Sequence, residues 1–419
     1  SNSLLWTKLK RNFNPEIAER YISMRANGYL TYDNVMRYFE ANMISKIGEV
    51  FYNLDQRLKY VNEDNKAWIY MCNGSRLEHT KRWIKERITY LDSVFEYGDW
   101  LKSMIVRSND VTGYVSLFLK AYTPMHVEVA FSDQALGRVK KYCDKDKWYE
   151  FKGIVENEKD NNITIRGANN IMYIDGLEQL NCSALHATNA ENLVEISIAG
   201  SENIQILELG NNTMLQKLNC KNCINLGIND NNKSINLEEC INLRHLDLSN
   251  TKLAEVILNP RGGSLEYFDL SNTLITNLSV HGQEFLPEIK LNNCKDLSTV
   301  NISECNSLTR LSLPNSKLSQ FTVTDCLKLD YLDVSYTGYL KSLALHGCEN
   351  LTTLIMAGMT NSSFKEVDLR TLKKIEELDI SKCIFLNNVR FAEGYTGIKR
   401  LNLRESAIKT FQFGLEDIP

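Results

Sequence analysis

A short apolar phrase that returns along residues 243–413 constrains the fold of this chain more than any other feature of its sequence. The phrase has the form apolar-x-x-apolar-x-apolar, as in Leu243-Arg-His-Leu246-Asp-Leu248. There are sixteen copies, with starts ten to thirteen residues apart. They begin at Leu243, Leu253, Leu265, Ile275, Leu286, Leu297, Leu308, Leu318, Leu329, Leu340, Leu351, Phe364, Ile375, Leu386, Ile398 and Ile408. A fixed period of this kind is the signature of a solenoid.

The last three residues of each phrase alternate between apolar and polar, which predicts a short strand with one buried face. One phrase cannot bury its apolar side alone, whereas stacked phrases share a continuous core. Neighbouring phrases differ in their outward residues, so we take two phrases as one coil of about 22 residues. The sequence therefore predicts two strands per coil and two unlike sheets.

Upstream of the repeats the composition changes, because all five tryptophans lie before residue 150. The sequence predicts an α+β chain with a helical arm over 1–100, a small β domain over 101–160 and a right-handed solenoid over 161–419. A solenoid needs covered ends, and the β domain is the expected N-terminal cap.

Local signals add detail to these parts. Asp33 is expected to cap a helix in the arm. In the β domain, alternating apolar residues over 115–119 and 127–131 flank Thr123-Pro124, which predicts a hairpin. Residues 226–235, rich in Asn and Asp, interrupt the repeat and are expected to form a loop.

Charge and hydropathy narrow the classes of partner. The net charge is −4 and the predicted pI is about 6.0, which gives no general reason to expect a nucleic-acid partner. No apolar run reaches the length of a membrane span. The opening Ser-Asn-Ser lacks a methionine and resembles a tag remnant, so the absence of a signal peptide excludes nothing.

The cysteines follow the repeat. Seven of the eleven stand three residues before a repeat apolar residue: Cys223, Cys240, Cys294, Cys305, Cys326, Cys348 and Cys383. We expect this position to cap a strand and face the turn backbone, with reduced, structural thiols. Several Asn-x-Ser/Thr sequences fall on predicted strands or turns, and with the thiols they indicate synthesis in a reducing, non-glycosylating cytoplasm.

No residue pattern indicates catalysis. Cys220 and Cys223 form the one C-x-x-C sequence, but a zinc site needs a second pair or histidines at ligand spacing. The six histidines are scattered, and no glycine-rich phosphate loop follows a predicted strand. The sequence therefore predicts no catalytic residue, no metal site and no cofactor, and we expect a protein that is not an enzyme.

The outward residues of alternate phrases point to a binding surface. One set carries tyrosine, arginine, histidine and aspartate, whereas the other is mostly small and polar. Tyrosine and arginine are favoured at binding hot spots. The candidate binding residues are His245, Asp247, Tyr267, Asp269, Arg310, Tyr331, Asp333, Asp379 and Arg400. The alternative is that Asp-Leu-Ser is only a repeat consensus, with the aspartates solvated on an exposed sheet.

Two resemblances to known families add to this interpretation. The stretch Cys240 to Thr251, Cys-x-x-Leu-x-x-Leu-x-Leu-Ser-x-Thr, resembles a leucine-rich repeat, and this resemblance covers about 190–413. The second half of each coil repeats the strand phrase and shows no helix, so it is closer to β-helix-like bacterial repeats. Residues of about 70–300 resemble large virion proteins of gut bacteriophages at Gly74-Ser-Arg-Leu-Glu-His79, Gly210-Asn-Asn-Thr213 and Asn222-Cys-Ile-Asn-Leu226.

These resemblances imply a non-enzymatic structural or binding protein. The expected setting is a bacteriophage virion or tail, made in the bacterial cytoplasm, with a repeat surface for assembly or host attachment. Its expected partners are other virion proteins or a host-surface protein or glycan, without nucleic acid or membrane insertion. The alternative is a bacterial leucine-rich-repeat protein that mediates protein–protein or cell-surface binding, in the cytoplasm or at the cell surface. An enzyme would need a site assembled across domains.

Overall fold

The computed structural model describes residues 20–21, 24–25, 29–39, 84–85, 87–88, 91–92, 102–109, 111–131, 137–155, 161–229 and 233–413. The chain divides into two compact units, residues 1–102 and 103–419. Most of the predicted helical arm lies outside the described residues.

Helix α1 of the first unit spans Tyr32–Phe39. Its cap is Thr31, because the backbone N–H of Asn34 donates to Thr31 Oγ1 at 3.2 Å. The prediction that Asp33 caps this helix is wrong. Asp33 lies inside the first turn, where its negative charge still favours the N-terminal end of the helix.

The second unit is built mainly of strands. The first eight are β1 Ser103–Ser108, β2 Gly113–Ala121, β3 Met125–Ala130, β4 Arg138–Cys143, β5 Trp148–Val155, β6 Asn161–Arg166, β7 Ile171–Asp175 and β8 Cys182–His186. Short 3-10 helices at Ala168–Asn170 and Glu178–Leu180 flank β7. The next ten are β9 Glu195–Ser197, β10 Ile206–Glu208, β11 Lys217–Asn219, β12 Ser234–Asn236, β13 His245–Asp247, β14 Glu255–Ile257, β15 Tyr267–Asp269, β16 Asn277–His281, β17 Glu288–Lys290 and β18 Thr299–Ser303. The last ten are β19 Arg310–Ser312, β20 Gln320–Thr324, β21 Tyr331–Asp333, β22 Ala344–His346, β23 Thr353–Ile355, β24 Glu366–Asp368, β25 Glu377–Asp379, β26 Asn388–Phe391, β27 Arg400–Asn402 and β28 Thr410–Phe413.

Successive repeat strands alternate between two layers. The odd-numbered strands β7 to β27 lie side by side in one long sheet, which ends in β2 and β5. Of the even-numbered strands, β12 to β22 form a second sheet, β24, β26 and β28 form a third, and β8 and β10 join β1, β6, β3 and β4. The register places His245 opposite Tyr267, 22 residues later. The predicted solenoid with two strands per coil is confirmed.

The strands of residues 103–166 continue these sheets, but their pairing differs from the predicted hairpin. β2 pairs with β5 and β7, whereas β3 pairs with β4 and β6. The chain therefore crosses between layers at Thr123-Pro124, and the hairpin prediction is wrong. Alternation identifies the buried face of a strand without identifying its neighbour.

The prediction of a loop over 226–235 is wrong for its last two residues. Ser234–Asn236 forms strand β12, which pairs with β14, and Ile235 is buried. Ile235 supplies the apolar centre that a repeat strand needs. Residues 230–232 lie outside the described part of the chain.

The core lies between the layers and is filled by the centres of the repeat strands. In the long sheet these are apolar residues with at most 2% exposure: Leu246, Phe268, Ile289, Leu311, Leu332, Leu354 and Leu378. Each coil buries its apolar side against its neighbours, as a solenoid requires.

The corner that follows most long-sheet strands is closed by a threonine, serine or cysteine. Thr273 Oγ1 donates to the carbonyl of Leu270 at 2.7 Å, and the Cys294 thiol of the next coil donates to the same carbonyl at 3.1 Å. The Cys223 thiol likewise donates to the Ile198 carbonyl at 3.2 Å. The prediction that the repeated cysteine faces the turn backbone is confirmed. The ten described cysteines are free and buried.

We expect the ten described thiols to react with a thiol reagent much more slowly in the folded protein than in denaturant. Burial raises the pKa of Cys182 and Cys223 to about 12 and that of Cys240 to about 11, and the thiolate is the reactive form. A hydrogen bond with Cys326 lowers the pKa of Cys305, but that thiol is fully buried.

The raised pKa values of the thiols determine how the stability of the fold changes with pH. The protonated thiols favour the folded state below the unfolded pKa of 9.0, and this contribution is lost as the pH rises towards 12. Titration with Ellman's reagent, with and without guanidinium, measures the difference. Rapid stoichiometric labelling of the folded protein would contradict the burial.

A row of asparagines lines the corner after the long sheet. Each takes a left-handed backbone conformation, with φ near +60° at Asn222, Asn250, Asn272 and Asn293. Their side chains bond to one another from coil to coil: Asn250 Nδ2 to Asn222 Oδ1 at 2.7 Å, Asn272 to Asn250 at 2.8 Å, and Asn293 to Asn272 at 2.9 Å. Asparagine suits this position because it tolerates positive φ and carries both a donor and an acceptor.

Replacing Asn272 with alanine should lower the free energy of unfolding by about 1–2 kcal/mol, because alanine is strained at positive φ. Asn272→Gly relieves that strain and loses only the side-chain bonds, so its cost should be smaller. Denaturant titration of both variants compares the contribution of backbone strain with that of the side-chain hydrogen bonds. Equal losses in both would show that backbone strain contributes nothing here.

Candidate binding face

The outward residues of the long sheet form two adjoining rows, which we call the ladder face. The first row runs Trp148, Lys120, Tyr173, Glu195, Lys217, His245, Tyr267, Glu288, Arg310, Tyr331, Thr353, Glu377 and Arg400. The second row runs Glu150, Phe118, Asp175, Ser197, Asn219, Asp247, Asp269, Lys290, Ser312, Asp333, Ile355, Asp379 and Asn402. Neighbouring strands lie about 4.8 Å apart, so side chains in a row touch.

All nine predicted binding residues lie on the ladder face. His245, Tyr267, Arg310, Tyr331 and Arg400 stand in its first row, because each begins a three-residue strand. The aspartates end their strands and stand in the second row: Asp247, Asp269, Asp333 and Asp379. Asp269 lies opposite Lys290, and Asp379 lies opposite Asn402.

One cluster on this face is built around Tyr267. The imidazole of His245 stacks on its ring with centroids 4.3 Å apart and planes 6° apart. Lys290 Nζ lies 4.4 Å from the ring centroid on the next strand. The Tyr267 hydroxyl donates to Asp269 Oδ2 at 3.1 Å. These contacts hold the tyrosine in one orientation on a partly exposed surface.

The protonation states of the side chains in this cluster favour the stacking of His245 on Tyr267. Partial burial, with Lys217 nearby, lowers the pKa of His245, so the imidazole is neutral at pH 7 and costs little to hold against a ring. Burial also raises the pKa of Tyr267, and its hydroxyl stays protonated. A hydrogen bond to Tyr267 raises the pKa of Lys290, which therefore stays charged.

A second cluster is built around Arg310. Its guanidinium carbon lies 3.6 Å from the ring centroid of Tyr331, and its Nε lies 3.8 Å from Glu288 Oε1. The side chains of Arg310 and Glu288 are nearly half exposed, at 47% and 42%. A cation over an aromatic face contributes about 0.5–1 kcal/mol at an exposed site. Arg310 is thus oriented and still accessible.

The four aspartates have a structural task as well. In each, Oδ1 accepts the backbone N–H two residues later: Ser249 at 3.0 Å, and Ser271, Ser335 and Ser381 at 2.9 Å. Asp247 also accepts the Ser249 hydroxyl at 2.6 Å and is only 6% exposed. Such bonds turn the chain at the end of the strand. They favour the view that Asp-Leu-Ser is a repeat consensus.

The N-terminal end of the ladder face was not predicted from the sequence. Trp148 and Tyr173 have ring centroids 6.0 Å apart, and Lys120 Nζ lies 5.2 Å from the Tyr173 centroid. The signal was present in the alternation of β2, where Phe118 and Lys120 alternate with the buried residues Leu117, Leu119 and Ala121. What was missing was the pairing of β2 with β7, which continues the repeat sheet into this region.

Other kinds of site find little support in the part of the chain that the structure describes. It contains no group of three or more His, Cys, Asp or Glu side chains that could hold a metal ion. No described helix is long and apolar enough to cross a membrane. A surface depression of about 650 Å³ is lined by Arg370, Lys373 and residues 392–397. There Arg370 is paired with Asp368 and lowers the pKa of that carboxyl.

The chain shows a partial likeness to a solved structure. No protein-family model and no curated protein matches the chain. A solved structure that resembles it is described as the functional domain of InlJ from Listeria monocytogenes, which includes a cysteine ladder. The two are 14% identical with a TM-score of 0.26, and the match covers 55% of this chain and 64% of that one. This chain therefore spans less than two thirds of that structure.

The stacking of alternate repeat strands in one sheet, with a register of 22 residues, confirms the predicted solenoid. Its stacked coils build one long sheet.

Proposed function

We propose that this chain is a non-enzymatic binding protein and that its ladder face holds a partner protein. The observation that carries the proposal is the pair of preformed clusters around Tyr267 and Arg310. Tyrosine and arginine supply much of the energy at interfaces. Side chains that are already held in place lose little entropy on binding, so more of the contact energy appears as affinity.

The opposite layer supports the choice of face. Its outward residues include charged ones such as Glu255 and Asp368, but most are small and polar, as at Ser279, Asn301 and Thr322. These small residues offer neither an aromatic anchor nor a charge. The proposed partner surface carries both acidic and basic groups, because the ladder face presents Lys290 and Arg310 beside Asp269.

A photo-crosslinking experiment tests which face binds. A photoreactive residue is placed at Tyr267, at Tyr331 or, as the matched control, at Ser279 in the other layer. Cross-linked partners are identified by mass spectrometry and then purified for affinity measurement. We expect one partner to be captured from both ladder positions. Capture from Ser279 alone would overturn the proposal.

The identified partner then allows a quantitative test. Arg310→Ala and Tyr331→Ala should each weaken binding by about tenfold or more, as expected for hot-spot residues. Asn301→Ala and Thr322→Ala change exposed residues of the other layer and should leave the affinity unchanged. If the two pairs of variants behave alike, the ladder face is not the binding surface.

The setting that we propose is a bacteriophage virion or tail, with other virion proteins or a host-surface protein or glycan as partners. Its support is the sequence resemblance over about 70–300. The alternative is a bacterial leucine-rich-repeat protein of the cytoplasm or cell surface, which the same ladder face would serve. Mass spectrometry of purified particles distinguishes them. Absence from particles, with the protein present in the infected-cell lysate, would reject the virion setting.

A further inference from the structure

Strand β5 is the last strand of the long sheet in the described part of the chain. It pairs with β2 on one side, and no described strand pairs with its other side. At eight residues it is much longer than β27, the three-residue strand at the opposite end. An unpaired edge of this length is a template for another strand.

The direction of the backbone groups on β5 follows from its neighbour β2. The Ser116 carbonyl accepts a hydrogen bond from Gln179 Nε2 at 2.6 Å, so it points towards the residues after β7 and away from β5. Backbone groups of successive residues point to opposite edges, so those of Leu117 point to β5, where its partner is Phe151.

The intervening residues of β5 therefore point their N–H and C=O groups outward. These residues are Trp148, Glu150, Lys152 and Ile154. The bond from Lys141 Nζ to the Glu150 carbonyl agrees, because this carbonyl is then free of β2. The side chains of the same four residues are exposed on the ladder face.

We infer that a second copy of this chain binds at this edge, with the two β5 strands antiparallel about a twofold axis at Phe151. In this register Trp148 lies opposite Ile154 of the second copy, and Glu150 lies opposite its Lys152. Each of these pairs exchanges two backbone hydrogen bonds, because all four residues direct their backbone groups to the edge. On pairing, the Glu150 carbonyl loses its hydrogen bond from Lys141 Nζ and accepts one from the backbone N–H of Lys152 in the second copy.

Side-chain chemistry selects this register. Trp148 and Ile154, which are 52% and 42% exposed, cover each other, and each carboxylate meets an ammonium group. A shift that places residue 152 on the axis sets Lys152 opposite itself. A shift that places residue 150 there sets Glu150 opposite itself. Both shifts oppose like charges, which is destabilising. A shift by one residue would set outward side chains against inward ones.

The pairing has a consequence for binding. It joins two long sheets edge to edge, so two ladder faces lie on one side of a continuous sheet. Two linked faces bind a repeating or dimeric partner more tightly than one face does. The pairing itself does not depend on what the ladder face binds.

Sedimentation velocity of the full chain over a wide range of concentration tests the inference through charge reversal. We expect a monomer–dimer equilibrium in the unaltered protein. Glu150→Lys alone and Lys152→Glu alone oppose like charges and should each weaken dimerisation about tenfold or more. The double variant restores opposite charges and should restore dimerisation. Glu349→Lys, on an exposed turn, is the control.

Cysteine cross-linking gives an independent readout. Opposite residues in such a hydrogen-bonded pair have Cα atoms about 5.5 Å apart, within the reach of a disulfide. The double variant Trp148→Cys/Ile154→Cys should therefore form a covalent dimer on oxidation. Trp148→Cys alone should not form a covalent dimer. The cysteine at 148 in the second copy lies six residues along the strand from its Ile154, about 20 Å away. The inference would be overturned if the protein were a monomer at all concentrations. It would also be overturned if the dimerisation constant were unchanged by the charge reversals and the double cysteine variant did not cross-link.

Discussion

Replacing Leu332 with alanine is expected to lower the free energy of unfolding by about 3–5 kcal/mol, the usual cost of truncating a fully buried leucine. Leu332 is the centre of β21, is 0% exposed and has coils stacked on both sides. In a repeat protein, such a loss is felt first by the nearest coils. Hydrogen exchange should therefore accelerate in β19, β21 and β23 before it does so in β9 or β11.

Leu401 provides a matched control at the same position of the repeat. It is the centre of β27 but is 44% exposed, because a neighbouring strand lies on one side only among the described residues. Leu401→Ala removes the same atoms with far less loss of burial, so we expect a cost below about 1 kcal/mol. Equal losses in the two variants would mean that stacking between coils is not what stabilises this solenoid.

The sequence predicts the solenoid well because its signals are local and repeated. The phrase from Leu243 to Leu248 marks one strand, and its sixteen copies mark the stack. Alternate copies were assigned to one sheet from their outward residues, and the odd-numbered strands from β13 to β27 occupy that sheet in the predicted order. Errors at single turns do not accumulate, since each coil is placed by its neighbours.

The pairing of residues 103–166 was not predictable in the same way. Buried alternation is clear in β2, but its neighbours β5 and β7 are separated from it by very different lengths of chain. Pairing of this kind depends on tertiary structure that a local pattern does not contain. For the same reason the sequence did not identify Trp148 and Tyr173 as residues of the ladder face, which they join only through these strand pairings.

The candidate residues divide into two kinds once side-chain bonds are known. Tyr267, Arg310 and Tyr331 make contacts along the exposed row, and none of these contacts turns the chain. Asp247 and Asp333 bond to backbone N–H groups that follow their strands. Both kinds of residue give the same outward alternation in sequence. Only the second kind is explained by the repeat itself.

Substitutions at Asp247 should separate its structural task from any part in binding. Asp247→Ala removes the acceptor for the Ser249 N–H and hydroxyl at a buried site, so we expect a loss of about 1.5–3 kcal/mol in the free energy of unfolding. Asp247→Asn retains an oxygen at the same place and should retain most of the stability. Denaturant titration measures both variants.

The asparagine variant then reports on charge alone. If the carboxylate of Asp247 contributes to partner binding, Asp247→Asn lowers affinity for the cross-linked partner while the fold is unchanged. Asp368 caps a strand in the other layer through the same bond to an N–H two residues later, at 3.1 Å. Asp368→Asn is therefore the matched control and should leave affinity unchanged. Because Asp247 is almost fully buried and its Oδ1 accepts both Ser249 groups, we expect the asparagine variant to bind nearly as well as the unaltered protein. A large loss of affinity at unchanged stability would instead place Asp247 beside Tyr267 and Arg310 among the contact residues.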